Sequence, residues 1–190
     1  FKQKTAYEIY QCDWSSDVCS SDLPNITQAA IAMLACMSIG AVWSMCAPDM
    51  GTHAVLDRFQ QIEPKVLIAC DGVTYGGKDH DRLQVVQALR DGLPTLAHVI
   101  LCRNLHADAT LPSSVNLDTI LAQSSDQMDS FEPLWLPFDH PLWIVYSSGT
   151  TGLPKPIVHG HGGTLVIALA LKILHNDIGC SYHQIGRAHV

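Results

Sequence analysis

The run Val66-Leu67-Ile68-Ala69-Cys70 decides the fold, because it is apolar from end to end. A strand with one wet face would alternate apolar and polar residues, whereas a parallel strand covered on both faces is continuously apolar. Pro64 precedes the run and Asp71-Gly72 follows it, so residues typical of turns bound it on both sides. The stretch therefore predicts a buried strand in a sheet that carries helices on both faces.

Helical patterns alternate with similar strands on either side of this run. Helices are predicted over 26–38 (with Asn25 as its N-cap), 52–62, 81–90 and 164–174. Short buried strands are predicted over 41–44, 99–102 and 143–146, with a further one near Ile157-Val158. Residues 72–79 are predicted to form a loop, and Trp43, Trp135 and Trp143 to lie in the core. This alternation indicates an α/β fold with a largely parallel sheet flanked by helices.

Composition excludes several classes of protein. The chain of 190 residues is 47% hydrophobic and 15% charged, which is typical of a globular domain. Its net charge of −7, without a stripe rich in Lys and Arg, argues against nucleic-acid binding. Gln28 and Gly40 interrupt the most apolar stretch, so no membrane span is predicted. The cysteines form no C-x-x-C pair, which favours free thiols in a reducing cytoplasm.

Both ends of the chain look foreign. Residues 17–23 and 184–190 can be encoded by DNA sequences that are reverse complements of each other, and both resemble a translated sequencing-library adapter. Such scars are excluded from fold reasoning. We therefore predict that 1–23 and 185–190 are non-native, that 24–184 is natural and part of a longer gene, and that 1–22 packs poorly on the rest. An ordinary polar N-terminal arm is the alternative.

A Gly-rich stretch follows the predicted strand that ends at Tyr146. Gly149 and Gly152 can take positive φ and leave room for a ligand beside the main chain. Successive N–H groups in such a turn form a concavity that suits an anion. Four hydroxyls and an ammonium group add hydrogen-bond donors, from Ser147, Ser148, Thr150, Thr151 and Lys155. The stretch predicts a grip for a polyphosphate, and a surface turn that happens to be rich in Gly and Thr is the alternative.

The spacing differs from a Walker A loop, which has its lysine directly after the second glycine. Lys155 lies beyond Leu153-Pro154 instead, and Pro156 follows it. A P-loop NTPase is therefore disfavoured. The stretch 146–155, Tyr-Ser-Ser-Gly-Thr-Thr-Gly-Leu-Pro-Lys, resembles the phosphate-binding signature of the adenylate-forming superfamily, which includes the acyl-CoA synthetases.

Further stretches are similar to the acetoacetyl-CoA synthetase (acetoacetate–CoA ligase) family. The resemblance covers essentially all of 24–179. These stretches include Gly-Ala-Val-Trp-Ser at 40–44, Ala-Pro-Asp at 47–49, Leu-His-Asn-Asp-Ile-Gly at 174–179 and the run 156–163. Within that run, Pro156 departs from the glycine that the superfamily usually has after the lysine.

The resemblance implies that 24–184 is part of the AMP-binding (adenylation) domain, within the large N-terminal domain of such an enzyme. The implied enzyme activates acetoacetate with ATP through an acyl-adenylate and transfers the acyl group to coenzyme A, with Mg²⁺ as counter-ion. The implied phosphate-binding residues are Ser147, Ser148, Gly149, Thr150, Thr151, Gly152 and Lys155, and Lys155 is also the implied catalytic residue. Later motifs of the family are absent, so the chain alone is expected to be inactive.

Two other functions remain open from the sequence. One is another short-chain acyl-CoA synthetase that acts on acetate or propionate, and the other is a non-catalytic module that binds a nucleotide or phosphate. The pair His159 and His161 could be read as metal ligands, but no carboxylate or cysteine stands close to it in the sequence. Residues of a turn beside the phosphate loop are the simpler interpretation, and no metal ligand is predicted.

Overall fold

The computed structural model describes residues 17–123, 131–147 and 152–176. The strands in these ranges are β1 Val18–Asp22, β2 Val42–Cys46, β3 Val66–Cys70, β4 Gly72–Tyr75, β5 Lys78–Asp81, β6 His98–Cys102, β7 Val115–Asn116, β8 Pro141–Ser147 and β9 Lys155–Gly160. The helices are α1 Thr27–Ser38, α2 Thr52–Phe59, α3 Leu83–Gly92, α4 Leu117–Leu121 and α5 His161–Ala170, and a π-helical turn, Leu171–His175, continues α5.

The main sheet has the strand order β7-β6-β3-β1-β2-β8-β9. Every neighbouring pair in it is parallel except β8 and β9, which pair antiparallel at one border. Strands β4 and β5 form a separate antiparallel hairpin. The predicted α/β fold with a largely parallel sheet is confirmed.

The two faces of β3 bury side chains in two different core clusters. Val66, Ile68 and Cys70 pack on the face covered by α1. Leu67 and Ala69 point to the opposite face, where they meet residues of α2 and α3. Side chains alternate across a strand, so an apolar run without interruption is what a strand between two helical layers requires. The prediction made from this run is confirmed.

Helix α1 ends in a Schellman motif centred on Gly40. The glycine has φ of 77°, a left-handed conformation that favours glycine. The N–H of Ala41 donates to the carbonyl of Cys36 at 3.0 Å, and the N–H of Gly40 donates to that of Met37 at 3.3 Å. At the other end of α1 the predicted Asn25 cap is wrong, because Ile26 is the N-cap residue and no side chain caps the helix.

The expected poor packing of the N-terminal segment is wrong for β1. This strand lies between β2 and β3 in the sheet interior, and Ser20, Ser21 and Asp22 are fully buried. Backbone hydrogen bonds to two neighbours do not depend on side-chain identity, and short side chains fit between the layers, so a polar strand is accommodated here. Residues 1–16 and 185–190 lie outside the described residues, and the non-native origin of the chain ends stays a prediction.

Two other expectations are corrected. Residues 72–79 are not a loop, because β4 and β5 form a hairpin whose turn, Gly76-Gly77, has positive φ at both glycines. Such a pair of residues suits the tight turns that join twisted antiparallel strands. Trp135 is not in the core, since 96% of it is exposed, whereas Trp43 is buried and Trp143 is half-buried.

Much of the apolar surface of the C-terminal part faces outward. The exposed residues of α5 and its π-helical turn include Leu165, Val166, Ile167, Leu169, Leu171, Ile173 and Leu174. Within the described ranges, no helix is both long enough and apolar enough to cross a lipid bilayer.

Candidate phosphate-binding site

The Gly-rich stretch connects β8 to β9. The two strands pair so that Ser147, the last residue of β8, lies directly opposite Lys155, the first residue of β9. Residues directly opposed in an antiparallel pair have their Cβ atoms about 4.5–5.5 Å apart. The structure therefore brings the hydroxyl-bearing and ammonium-bearing residues together at the base of the stretch. Ser148, Gly149, Thr150 and Thr151 lie outside the described residues.

The site lies at the edge of the sheet that the sequence predicts. Strands β1, β2 and β3 run parallel to one another, and β8 runs parallel to β2. Their carboxyl ends therefore meet at one edge, which is where open α/β sheets usually bind ligands. The Gly-rich stretch begins at this edge, directly after the carboxyl end of β8.

Gly152 matches the expectation only in part. Its φ is not in the left-handed region, so the positive φ that a glycine allows is not adopted here. A Cβ added at Gly152 would have no heavy atom within 4 Å, so there is open space beside the main chain. Among the described residues, nothing fills this side of Gly152, and the expected room for a ligand stays a prediction.

Lys155 begins an exposed border strand. Its side chain is exposed, and it has no ion-pair partner among the described residues. Pro156 follows it inside β9, where a residue without an N–H is tolerated because β9 is the last strand of the sheet. The ammonium group is thus free to bind an anionic ligand at the open side of the hairpin.

The carboxyl end of α2 contacts both stems of the Gly-rich stretch, that is, the end of β8 at Tyr146 and the residue before β9, Pro154. The Tyr146 hydroxyl donates to the backbone carbonyl of Arg58 at 2.9 Å, and the Arg58 guanidinium lies 5.7 Å from the centre of the Tyr146 ring. On the other stem, Gln61 Nε2 donates to the carbonyl of Pro154 at 3.0 Å. Sequence analysis missed these contacts, because no local pattern links residues so far apart along the chain.

Tyr146 is held as a neutral phenol. Burial raises the pKa of Tyr146 to about 12, although a hydrogen bond with Ser44 acts in the opposite direction. The side chain therefore keeps its proton throughout the physiological range and remains a hydrogen-bond donor to Arg58.

A cavity of about 620 Å³ opens at the same edge of the sheet. Its lining includes Pro48 and Asp49 after β2, Tyr75 of β4, and Arg82. Arg82 Nη2 bonds Asp22 Oδ2 at 2.7 Å in a buried ion pair. Burial nevertheless raises the pKa of Asp22, because desolvation of the carboxylate outweighs the attraction of Arg82.

Asp71 fixes the chain that follows β6. Its carboxylate accepts hydrogen bonds from the backbone N–H groups of Asn104, Leu105 and His106, the shortest at 2.6 Å. Burial raises the pKa of this carboxyl, but these N–H groups together outweigh burial and the net pKa is lowered. Asp71 is therefore a structural anion at the end of β3.

His159 of β9 and His161, the first residue of α5, point to different neighbours. The His159 ring packs edge-on against Trp143, with ring centres 6.2 Å apart. The His161 ring lies 5.7 Å from that of His140, and burial lowers its pKa. Among the residues described, no group of three or more His, Cys, Asp or Glu side chains is arranged to hold a metal ion.

The sequence of the chain is similar to those of known AMP-binding enzymes. Residues 15–185 match the AMP-binding enzyme family. The acetoacetyl-CoA synthetase of Gallus gallus is 45% identical, over 86% of this chain and 26% of its own length. That of Xenopus tropicalis is 46% identical, over 82% of this chain and 24% of its own length.

A solved structure, that of the acetoacetyl-CoA synthetase from Streptomyces lividans, has the same fold. It superposes with a TM-score of 0.83 at 46% sequence identity, and the match covers 92% of this chain and 26% of that one.

The chain belongs to the AMP-binding enzyme family, because the family match extends over most of its length. Among the members it resembles are several acetoacetyl-CoA synthetases. It spans about a quarter of the length of these relatives.

Proposed function

We propose that the chain is the phosphate-binding part of a longer, ATP-dependent acid–CoA ligase that acts on acetoacetate. The observation that carries this proposal is the pairing of Ser147 with Lys155 at the base of the Gly-rich stretch. This pair stands at the carboxyl edge of a parallel sheet, in a chain that is 45% identical to an acetoacetyl-CoA synthetase. The site residues remain those predicted from the sequence, with Ser148 to Thr151 completing the grip between Ser147 and Gly152.

The proposed reaction has two steps. A carboxylate oxygen of the acid attacks the α-phosphorus of ATP, and the bond to the β-phosphate oxygen breaks so that its electron pair leaves with pyrophosphate. The thiolate of coenzyme A then attacks the acyl carbon, and AMP leaves with the electrons of the broken bond. In the first step, negative charge grows on the departing pyrophosphate, where backbone N–H groups, hydroxyls and Lys155 would already be in place. Donors fixed in advance are often the largest contribution to catalysis.

Mg²⁺ is proposed as the counter-ion of ATP, because the nucleotide brings about four negative charges to a chain of net charge −7. The part of the chain that the structure describes offers no three-ligand group for a metal. The described cysteines are free and buried, which supports a reducing compartment such as the cytoplasm.

Exchange of labelled pyrophosphate into ATP tests the proposal in the full-length ligase. The exchange should require acetoacetate, and acetate and propionate serve as competing acids. Lys155→Ala should lower the exchange rate by about 10²–10³-fold, by analogy with the loss of one transition-state donor. An unchanged rate would remove the role assigned to Lys155, and ATP binding without exchange would support a non-catalytic module instead.

A further inference from the structure

We propose that the carboxyl end of α2 fixes the two ends of the Gly-rich stretch, with Gln61 and Tyr146 as positioning residues for Lys155 and Ser147. This inference rests on the proposed function. It assigns a task to residues outside the hydroxyl, glycine and lysine set that would touch the phosphates. Gln61 is the more informative of the two, because it lies far from the Gly-rich stretch in sequence.

The two residues that α2 contacts lie next to Ser147 and Lys155, the binding residues at the base of the stretch. Tyr146 immediately precedes Ser147, and Pro154 immediately precedes Lys155. Both residues are hydrogen-bonded to the same short segment, 58–61. Tyr146 donates to the carbonyl of Arg58, and the carbonyl of Pro154 accepts from Gln61. The segment therefore bridges the two stems from outside the hairpin.

The Gln61 amide uses both of its N–H groups. Its Nε2 donates to the carbonyl of Asp57 at 2.6 Å, one helical turn earlier, as well as to that of Pro154 at 3.0 Å. The bond to Asp57 orients the amide, although the side chain is exposed. Gln61 therefore reaches the hairpin as an oriented donor, which lowers the entropy lost when it holds Pro154.

The helix that makes these contacts is anchored in the core. Val55 and Phe59 of α2 are fully buried against the sheet. The second stem needs such support, because β9 is the last strand of the sheet and pairs with β8 alone among the described strands. The bond from Gln61 therefore supports the start of β9, and Lys155 with it, from outside the hairpin.

A displacement of either stem changes the positions of the donors between them. Catalysis by fixed donors is sensitive to shifts well below 1 Å. Loss of a contact worth one neutral hydrogen bond is expected to lower kcat/KM for ATP by about 3- to 10-fold. The KM for the acid should stay unchanged, because the contact acts on the phosphate side of the reaction.

Gln60 provides a matched control. It is also an exposed glutamine at the end of α2, but its Nε2 donates to the carbonyl of Gly92 on α3 at 3.1 Å, away from the hairpin. Gln60→Met removes one side-chain bond to a backbone carbonyl. Gln61→Met removes two, a local one to Asp57 and the one to Pro154, and only the latter reaches the stretch.

The experiment compares these variants in the full-length ligase by pyrophosphate exchange and thermal unfolding. Both Met variants should have similar melting temperatures, and only Gln61→Met should lose kcat/KM for ATP. Gln61→Lys, which keeps a donor for the Pro154 carbonyl, should restore part of the loss. Tyr146→Phe, which keeps the ring on Arg58 but removes the hydroxyl, should show the same selective loss.

Equal kinetics for Gln60→Met and Gln61→Met would overturn the positioning role. Lys155→Ala separates this result from failure of the proposed function. If Lys155→Ala abolishes exchange and Gln61→Met does not differ from the control, only the inference is wrong. If exchange is insensitive to Lys155→Ala, both the proposed function and the inference fall.

Discussion

Replacement of Ser20 and Ser21 by alanine should stabilise the chain. Both residues are fully buried in β1, and neither hydroxyl has a hydrogen-bond partner among the described residues. A buried hydroxyl without a partner costs about 1–3 kcal/mol. Since β1 lies between β2 and β3, the penalty falls in the interior of the sheet.

The magnitude follows from the structure. Ser→Ala removes only the oxygen, so the void is small, and we take about 1 kcal/mol for each site from the lower end of the range. The two side chains point to opposite faces of the strand and share no partner, so their effects should add to about 2 kcal/mol. For a chain of this size that corresponds to a rise in melting temperature of about 4–8 °C.

Urea unfolding of the 190-residue chain, followed by far-UV circular dichroism, measures the effect as a shift of the midpoint at constant m-value. Ser44→Ala on the adjacent strand is the control, because Ser44 is also fully buried but its Oγ donates to the Ile144 carbonyl at 3.3 Å. That variant should lose about 1 kcal/mol. If the Ser20 and Ser21 variants lose stability as Ser44→Ala does, their hydroxyls have partners and the reasoning is refuted.

Two further predictions concern Asp71 and Gly72. Asp71 has a lowered pKa, so it contributes stability that is present above its ordinary value of 3.8 and lost as the pH falls through the folded-state value. Asp71→Asn should therefore cost about 2–3 kcal/mol at pH 7 and progressively less below pH 4, as measured by urea unfolding at several pH values; a constant difference would contradict this. Gly72→Ala should cost about 1–3 kcal/mol, because the new Cβ would lie 2.9 Å from the backbone oxygen of His80. Gly163→Ala in α5, where the Cβ meets nothing within 4 Å, should instead be neutral or stabilising by up to about 1 kcal/mol, and equal losses at both sites would refute the steric argument.

Elements whose own residues show a clear apolar pattern could be predicted from the sequence. Strand β3 is apolar throughout, and α2 carries Val55 and Phe59 one turn apart, so local patterns suffice for both. Strand β5, Lys78–Asp81, was missed because all its residues are polar and exposed. The turn signal Gly76-Gly77 was available beside it, and it marks a hairpin better than the strand residues do.

Long-range effects explain the other failures. The residues of β1 are predicted to belong to a foreign end segment that packs poorly, and only the neighbouring strands make them a strand of the sheet interior. Trp135 is predicted to lie in the core because it flanks a predicted strand, but a large apolar residue can remain on the surface. At the candidate site, the position of the Gly-rich stretch follows from strand order, whereas the contact of Gln61 with Pro154 joins residues 93 positions apart. No pattern within a window of sequence contains that contact.

The short ladder between β2 and β8 has a consequence for the order of assembly. The two strands share the register pairs Trp43 with Trp143 and Ser44 with Ile144, so the contour length to be closed is 100 residues. Closing it costs about 1.3 kcal/mol more entropy than joining β1 to β2. We therefore expect the β8–β9 hairpin to dock late in folding and to detach early under denaturant. A nucleotide bound there would slow that detachment, so the part of the molecule that is proposed to grip substrate is also the part that substrate would protect most from transient opening.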